Sequence, residues 1–227
     1  MAVVALYRST IGKKVIMAVT GFIWVGYVVL HMFGNLKYFV GATSINGWAE
    51  FLRTFGQDIL GYPGFLWVVR LVLVSAVLLH ILMAYQLTQL DWASRPVRYS
   101  GRNYLSATFS SRTMRWGGII VALFIVFHLL QFTVKWITPG FTNSDSPYIM
   151  VVLSFQQWWM VALYAVLMAL ICMHVRHGFW SAFATLGLNV SPRGQKWLNY
   201  LGIGIAVLLY VGFMIMPVAV MFGGITL

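Results

Sequence analysis

Four histidines lie inside four different apolar segments of this 227-residue chain. An imidazole in the hydrocarbon core of a membrane is costly and is seldom kept there without a partner. Imidazole is also a strong ligand for iron, and helical bundles build cofactor sites from side chains on facing helices. Four such residues on four helices indicate two pairs, and two pairs could be the axial ligands of two bis-histidine haems. The residues are His31, His80, His128 and His174.

The elements that must position these histidines are predicted to be transmembrane helices. The chain is 61% hydrophobic and only 8% charged, whereas a soluble domain carries about 25% charged residues. A membrane-spanning helix needs roughly 20 apolar residues, and the period-two alternation of barrel strands is missing from the sequence. We therefore predict one all-α integral membrane domain over the whole chain, in which the first four helices form a haem-binding bundle and the fifth packs against it. The predicted helices cover residues 15–37, 65–90, 114–138, 152–180 and 197–222.

The net charge of +11 is distributed unevenly between the two ends of these helices. Most basic residues precede the first helix, fill the second connection or follow the fourth helix. The positive-inside rule then predicts a cytoplasmic N-terminus and an external C-terminus, in the inner (cytoplasmic) membrane of a cell. Nucleic-acid binding is disfavoured because the basic residues flank apolar spans and form no soluble module. The residues predicted inside are Arg8, Lys13, Lys14, Arg95, Arg98, Arg102, Arg112, Arg115, Arg176, Arg193 and Lys196.

The connections between the helices carry turn and breaker residues. The first connection, 38–64, also contains Trp48, Phe51 and Phe55, which predict a short helix at the membrane interface. The remaining connections are predicted to be loops over 91–113, 139–151 and 181–196.

The depth of each histidine in the membrane predicts how they pair, because an α-helix rises about 1.5 Å per residue. Measured from the flanking charged and aromatic residues, His31 and His128 fall in the outer half of their helices. His80 and His174 fall in the inner half. Depth therefore predicts an outer pair and an inner pair, with one haem near each face of the membrane.

The fourth ligand is the least certain from the residues alone, since His177 lies three positions after His174. His177 sits close to the inner interface beside Arg176. It could be a solvated interfacial residue, a hydrogen-bond partner of a haem propionate, a quinone contact or the ligand in place of His174. We favour His174 because it lies deeper in the membrane.

Other chemistry is disfavoured by what the sequence contains. Membrane histidines can also form interhelical hydrogen bonds or proton relays, but ion-coupled transporters usually add carboxylates within their spans, and none is found in these. Cys172 is the only cysteine, which excludes an intrachain disulfide and a four-cysteine iron–sulfur cluster, and we expect it to pack in the fourth helix. The acidic residues, all in loops or at helix boundaries, are Glu50, Asp58, Asp91 and Asp145.

Three stretches resemble a known family of membrane proteins. Residues 9–21 (STIGKKVIMAVTG) resemble the start of the membrane-anchor cytochrome b of succinate:quinone oxidoreductases, that is, of succinate dehydrogenase. The match continues through 31–35 (HMFGN) and 174–181 (HVRHGFWS). The specific relative is the single-chain, five-helix, di-haem class, which also occurs in related fumarate reductases, and the resemblance covers essentially the whole chain.

The resemblance implies two b haems and an electron-transfer role. His31 and His128 would hold the haem distal from the catalytic subunits, and His80 and His174 the proximal one. Electrons would pass from an iron–sulfur partner through both haems to a membrane quinone, menaquinone or ubiquinone. The propionates would be neutralised by basic residues near each face of the membrane: Arg176 and His177 inside, and Lys37, Arg53 or Arg70 outside.

The resemblance also implies that succinate is oxidised elsewhere. The chain has neither a GxGxxG dinucleotide fingerprint nor a cysteine cluster, and in the family these parts belong to flavoprotein and iron–sulfur subunits docked on the cytoplasmic face. The basic connection 91–113 and residues 193–196 are candidates for that docking surface or for contact with anionic lipid headgroups. On the outer side, Glu50 and Asp58 could exchange quinone protons with solvent.

Two alternatives stay open at this point. A fumarate reductase anchor running in the opposite direction has the same sequence features, because direction depends on haem potentials and quinone type. A haem-free anchor would only hold the partner subunits and bind quinone.

Overall fold

A computed structural model describes residues 7–94, 109–142, 144–188 and 191–227 of the chain, and within these ranges it contains helices and no strands. Five helices are long and apolar enough to cross a membrane. The chain is therefore an all-α, multi-pass integral membrane protein, as predicted. The spanning helices are α1 (Thr10–Leu36), α4 (Gly64–Ala93), α5 (Phe109–Phe132), α7 (Trp158–Thr185) and α8 (Pro192–Met221). The shorter elements are a 3-10 helix (Lys37–Val40), α2 (Ala42–Thr54), α3 (Gln57–Leu60) and α6 (Pro147–Phe155).

Three helices begin at a serine that caps the first turn. The Ser9 hydroxyl accepts from the Gly12 N–H at 2.9 Å, and the Ser191 hydroxyl accepts from the Gly194 N–H at 3.0 Å. Ser146 caps α6 in the same way. Serine at this position satisfies an amide that the helix itself leaves unpaired, and the prolines that follow Ser146 and Ser191 suit the first helical position. Local sequence therefore sets where these helices start.

The region between the third and fourth spans differs from the prediction. The third span ends at Phe132 rather than at 138, and the fourth begins at Trp158 rather than at 152. Lys135 adopts a left-handed conformation with φ of 60°, which an α-helix cannot contain. Its ammonium group pairs with Asp145 and holds the pKa of that carboxyl below its usual value. Hydropathy misplaced the first bound because the turn after Phe132 is still partly apolar, and the second because residues 152–155 are mostly apolar but belong to the separate helix α6.

The predicted loop 139–151 contains most of the short helix α6. α6 packs against α2, the interfacial helix that Trp48 and Phe51 predicted. The Asn46 side-chain oxygen in α2 accepts hydrogen bonds from the Ser146 hydroxyl at 3.1 Å and the Tyr148 N–H at 3.3 Å. Together α2 and α6 form a layer over one end of the bundle, which we call the Tyr38 end; the opposite end, where α1 starts, is the Ser9 end.

The spanning helices pack in a fixed order. α1 packs extensively against α4 and α7, and α7 packs against α5. The four helices therefore follow one another in the order α4, α1, α7, α5. In this arrangement α1 and α5 face each other across the bundle, as do α4 and α7. The fifth span, α8, lies outside the four and covers α1 and α7.

The outward surfaces of α4 and α5 are suited to lipid. Leu71, Leu78, Leu123 and Val126 are each more than half exposed. These helices are long enough to span a membrane, and their exposed side chains are apolar. Such a surface indicates contact with the hydrocarbon of the bilayer.

The contact of α1 with α8 depends on one close approach, which gives a testable prediction. Met32 of α1 is buried against Gly212 of α8, and a Cβ atom at Gly212 would collide with the Met32 sulfur. Gly212→Val should therefore destabilise the folded protein by about 1–3 kcal/mol, the usual cost of overpacking, measured by thermal unfolding in detergent.

Gly204→Val is the matched control, because a Cβ at Gly204 on the same helix meets open space. Equal destabilisation by the two substitutions would show that the α1–α8 approach has no special role.

Candidate functional site

The four membrane histidines come together in two pairs. The ring centroids of His31 and His128 are 5.9 Å apart, and those of His80 and His174 are 6.3 Å apart. These are the pairs that depth in the membrane predicted. That they ligate haem stays a prediction.

The spacing within each pair suits two ligands of one metal ion. An imidazole nitrogen binds a transition metal at about 2.0–2.1 Å, and the ring centre lies about 1 Å further out. Two imidazoles on opposite sides of one ion would therefore have centroids about 6 Å apart, close to both observed distances. Two rings in direct contact can also have centroids at this distance. The centroid distance alone therefore fits both a shared metal ion and direct ring packing.

The helices that carry the histidines show how each pair is arranged in the bundle. His31 lies on α1 and His128 on α5, while His80 lies on α4 and His174 on α7. Each pair thus joins helices that face each other across the bundle rather than the packed neighbours. His80 lies beside Gly21 of α1, ten residues before His31, so the two pairs are separated by about 15 Å along the bundle. The centre of the bundle therefore contains two histidine sites, one above the other.

His80 is held by the main chain of α1. Its Nδ1 lies 3.0 Å from the Met17 carbonyl oxygen and 3.3 Å from the Thr20 hydroxyl oxygen. A carbonyl oxygen only accepts, so Nδ1 carries the proton and donates. The other ring nitrogen, Nε2, then keeps its lone pair. A metal-ligating histidine is oriented in the same way, with its second nitrogen donating to a carbonyl or carboxylate.

His128 is held by a side chain. Its Nδ1 lies 3.1 Å from the Tyr164 hydroxyl, and that hydroxyl donates to the Gln131 side-chain oxygen at 2.8 Å. Since the tyrosine proton is directed to Gln131, the tyrosine oxygen is free to accept from the His128 Nδ1–H. His128 therefore presents an unprotonated Nε2, as His80 does.

The two remaining histidines have different surroundings. His174 Nδ1 is buried and has no hydrogen-bond partner within the described part of the chain. Buried polar atoms are normally paired, so this nitrogen is an exception to the usual rule. The His31 ring stacks on Tyr27, with centroids 5.6 Å apart and planes 10° apart, and contacts Phe213 of α8. α8 contributes no histidine but packs against this site, in agreement with its predicted role.

Small residues face the His80–His174 pair from both sides. Gly21 of α1 lies against His80, and Gly118 of α5 lies against His174, each with room for no more than a methyl group beside the ring. An apolar cleft of about 200 Å³ adjoins His174 between α5 and α7. Its lining includes Gly117, Ile120 and Met173.

Arg176 and His177 are at the Ser9 end of the bundle. The Arg176 guanidinium donates to the Asn199 side-chain oxygen of α8 at 3.2 Å, which directs it toward α8. Both side chains are partly buried, and His177 lies about one turn beyond His174. Arg176 and His177 therefore lie near the His80–His174 site, and among the described residues neither pairs with a histidine as the four membrane histidines do.

The predicted outer basic residues lie at the Tyr38 end. Lys37 lies over the Trp48 ring, and Arg53 pairs with Glu50 at 3.9 Å. Arg70 lies over the Trp67 ring. Part of the predicted docking connection, including Arg95, Arg98 and Arg102, lies outside the described residues.

Sequence reasoning missed the polar residues that support His128. Tyr164, Gln131 and Ser154 are all buried, and the Gln131 amide donates to the Ser154 hydroxyl at 3.2 Å. One signal was available: Gln131 lies three residues after His128, on the same helical face, and an amide inside an apolar span needs a partner.

The arrangement offers two metal sites only if a cofactor supplies most of the ligands. Across the described ranges, no group of three or more His, Cys, Asp or Glu side chains could hold a metal ion alone. A haem macrocycle supplies four nitrogens itself and requires only axial ligands from the protein. In comparisons with known proteins, no family model, curated protein or solved structure matches the chain.

The buried amide predicts a measurable loss of stability. Gln131→Leu would remove the acceptor of the buried Tyr164 hydroxyl proton and the donor to the Ser154 hydroxyl, and a buried polar group that loses its partner costs about 1–3 kcal/mol. Thermal unfolding of the full chain should show this loss. The control Gln86→Leu removes a glutamine that donates to the Tyr7 hydroxyl in an exposed contact, and it should change stability by less than about 0.5 kcal/mol. Similar results for both would contradict a role for the buried amide.

Proposed function

We propose that this chain is the membrane anchor and di-haem cytochrome b subunit of a succinate:quinone oxidoreductase. In that role it holds two b haems, takes electrons from an iron–sulfur partner subunit and delivers them to a membrane quinone. A flavoprotein subunit completes the complex, and the chain does not oxidise succinate by itself. The observation that carries the proposal is the pair of histidine sites: His31 with His128, and His80 with His174, each near one-metal spacing across the bundle.

The residues present fit haem b. Two imidazoles per site could hold one b haem each. Each ligand would bind through Nε2, which the hydrogen bonds to Nδ1 leave unprotonated in His80 and His128. Haem, when bound, supplies reversible one-electron storage.

The chain's own residues bind and shield the group. The rings are fixed by Met17 on one side of the bundle and by Tyr164 on the other. The helices around them are largely apolar in their central parts, which keeps water from the sites and disfavours charge there. Lys37, Arg53 and Arg70 at one end, and Arg176 and His177 at the other, place positive or protonatable groups where propionates would emerge.

The Ser9 end of the bundle suits contact with partner subunits. The starts of α1, α5 and α8 and the ends of α4 and α7 lie there. Lys14, Arg193 and Lys196 are exposed at this end. A basic surface favours association with acidic protein surfaces or with anionic lipid headgroups. We place the iron–sulfur and flavoprotein subunits here, on the cytoplasmic side.

Haem content tests the proposal directly. The purified full chain should show a b-type α band after reduction and contain about two haems per chain, because it has two complete ligand pairs. His31→Ala and His80→Ala should each remove one haem, because each breaks a different pair. Absence of haem from the wild-type chain would leave the haem-free anchor as the function.

His177→Ala distinguishes the two candidates for the fourth ligand. It should keep two haems, whereas His174→Ala should lose one, since only His174 contacts the His80 ring. Loss of a haem in His177→Ala with retention in His174→Ala would reverse the assignment.

The substrate assignment has its own readout. In membranes that contain the whole complex, succinate should reduce the haems, and a quinone should reoxidise them. Two haems that succinate leaves oxidised would contradict the succinate assignment and keep only the di-haem anchor.

A further inference from the structure

We infer that a hydrogen-bond relay fixes which ring nitrogen of His128 is free to bind a metal ion. The relay runs from His128 through Tyr164, Gln131 and Ser154 to the Pro139 carbonyl, and all of its hydrogen bonds point in one direction. The inference rests on the proposed function, because the ligand is the haem of the His31–His128 site. It adds three positioning residues that belong neither to the ligand set nor to the propionate partners. It also makes the two histidine sites chemically different from each other.

The relay is continuous and buried. His128 Nδ1 lies 3.1 Å from the Tyr164 hydroxyl, which lies 2.8 Å from the Gln131 oxygen. The Gln131 nitrogen lies 3.2 Å from the Ser154 hydroxyl, and that hydroxyl lies 3.2 Å from the Pro139 carbonyl oxygen. Gln131 and Ser154 are fully buried, with 0% exposure, and Tyr164 is 6% exposed. Water therefore does not compete for these bonds in the folded protein.

The last acceptor sets the direction of every bond. A main-chain carbonyl can only accept, so Ser154 must donate to Pro139. The Ser154 oxygen then accepts from the Gln131 NH₂ group, which turns the Gln131 oxygen toward Tyr164. Tyr164 donates to that oxygen, and its own oxygen is left to accept from His128.

The consequence is a single tautomer of His128. Because Nδ1–H donates to Tyr164, Nε2 carries a lone pair and is ready to bind a metal without first losing a proton. A hydrogen bond donated from Nδ1 also raises the basicity of the ligating nitrogen. A more basic ligand favours the ferric over the ferrous form and lowers the reduction potential of the haem it holds.

The two sites fix the Nδ1-protonated tautomer with different hydrogen-bond acceptors. At the other site, His80 donates to the Met17 carbonyl of α1, which no side-chain substitution removes. At the His31–His128 site the acceptor is a tyrosine side chain, supported by α5, α6 and α7 together. The relay therefore allows the potential of one haem to be set by side chains, independently of the other.

Tyr164→Phe tests the relay by removing only the hydroxyl. In the full chain we expect the haem of the His31–His128 site to bind 10- to 100-fold more weakly, the usual effect of losing such a partner. Its reduction potential should rise, by about 59 mV for each tenfold loss in the preference for the ferric form. The haem of the His80–His174 site should keep its potential.

Tyr38→Phe is the matched control. Tyr38 is also buried, at 4% exposure, and its hydroxyl donates to the main-chain carbonyl of Pro147 at 3.0 Å. It belongs to the same end of the bundle but is not part of the relay. Tyr38→Phe should leave both potentials at their wild-type values, so a shift found equally in both variants would overturn the inference.

Gln131→Met tests whether the relay acts beyond Tyr164. This substitution keeps Tyr164 in place but removes the acceptor that orients its hydroxyl. The same haem should shift in the same direction. If Tyr164→Phe shifts the potential and Gln131→Met leaves it unchanged, the relay through Gln131 to Pro139 is wrong.

A measurement on haem-free protein separates this inference from the proposed function. In full chain labelled with ¹⁵N-histidine and prepared without haem, the nitrogen resonances should show His128 protonated at Nδ1, and Tyr164→Phe should give a mixture of tautomers. If the wild type binds no haem, the proposed function fails and these resonances still test the relay. If it binds two haems but Tyr164→Phe matches the wild type in potentials and tautomer, the inference fails and the function stands.

Discussion

An imidazole inside an apolar bundle needs a partner for both of its ring nitrogens, and the architecture of this protein follows from that requirement. His80 and His128 each have one nitrogen satisfied by the protein, through Met17 and Tyr164. The facing helix carries a second histidine, whose ring centroid lies 5.9 Å from that of His128 or 6.3 Å from that of His80. Under the proposed function, one iron ion in a macrocycle would satisfy both imidazoles of a pair.

The helix packing serves this arrangement. α1 contacts α4, α7 and α8, and it contributes to both sites: Met17, Thr20 and Gly21 surround His80, while His31 itself belongs to the other pair. α8 lacks a histidine, yet it holds α1 and α7 together and places Phe213 against His31. The α2–α6 layer closes the Tyr38 end and delivers Ser154 to the support of His128. The short elements therefore matter to the site as much as the spans do.

Much of this was predictable from the sequence, because membrane thickness constrains helix length and depth. Apolar length gave five spans, and flanking charges gave the depths that pair His31 with His128. Hydropathy failed between the third and fourth spans: α5 ends at Phe132, before the left-handed Lys135, and most of the short helix α6 was predicted as a loop. The relay could not be predicted from the sequence, because Ser154 contacts Gln131 only when α6 is folded back against the bundle. The direction of Arg176 toward Asn199 likewise depends on how α7 and α8 pack.

The central claim is that each histidine pair holds one iron between two imidazoles. Electron paramagnetic resonance of the oxidised, purified full chain tests it most directly, because the signal reports the spin state and axial ligands of ferric haem. The account predicts two distinct low-spin ferric species in equal amounts, each with two imidazole ligands. A single low-spin species, high-spin haem alone or the absence of a haem signal would contradict it.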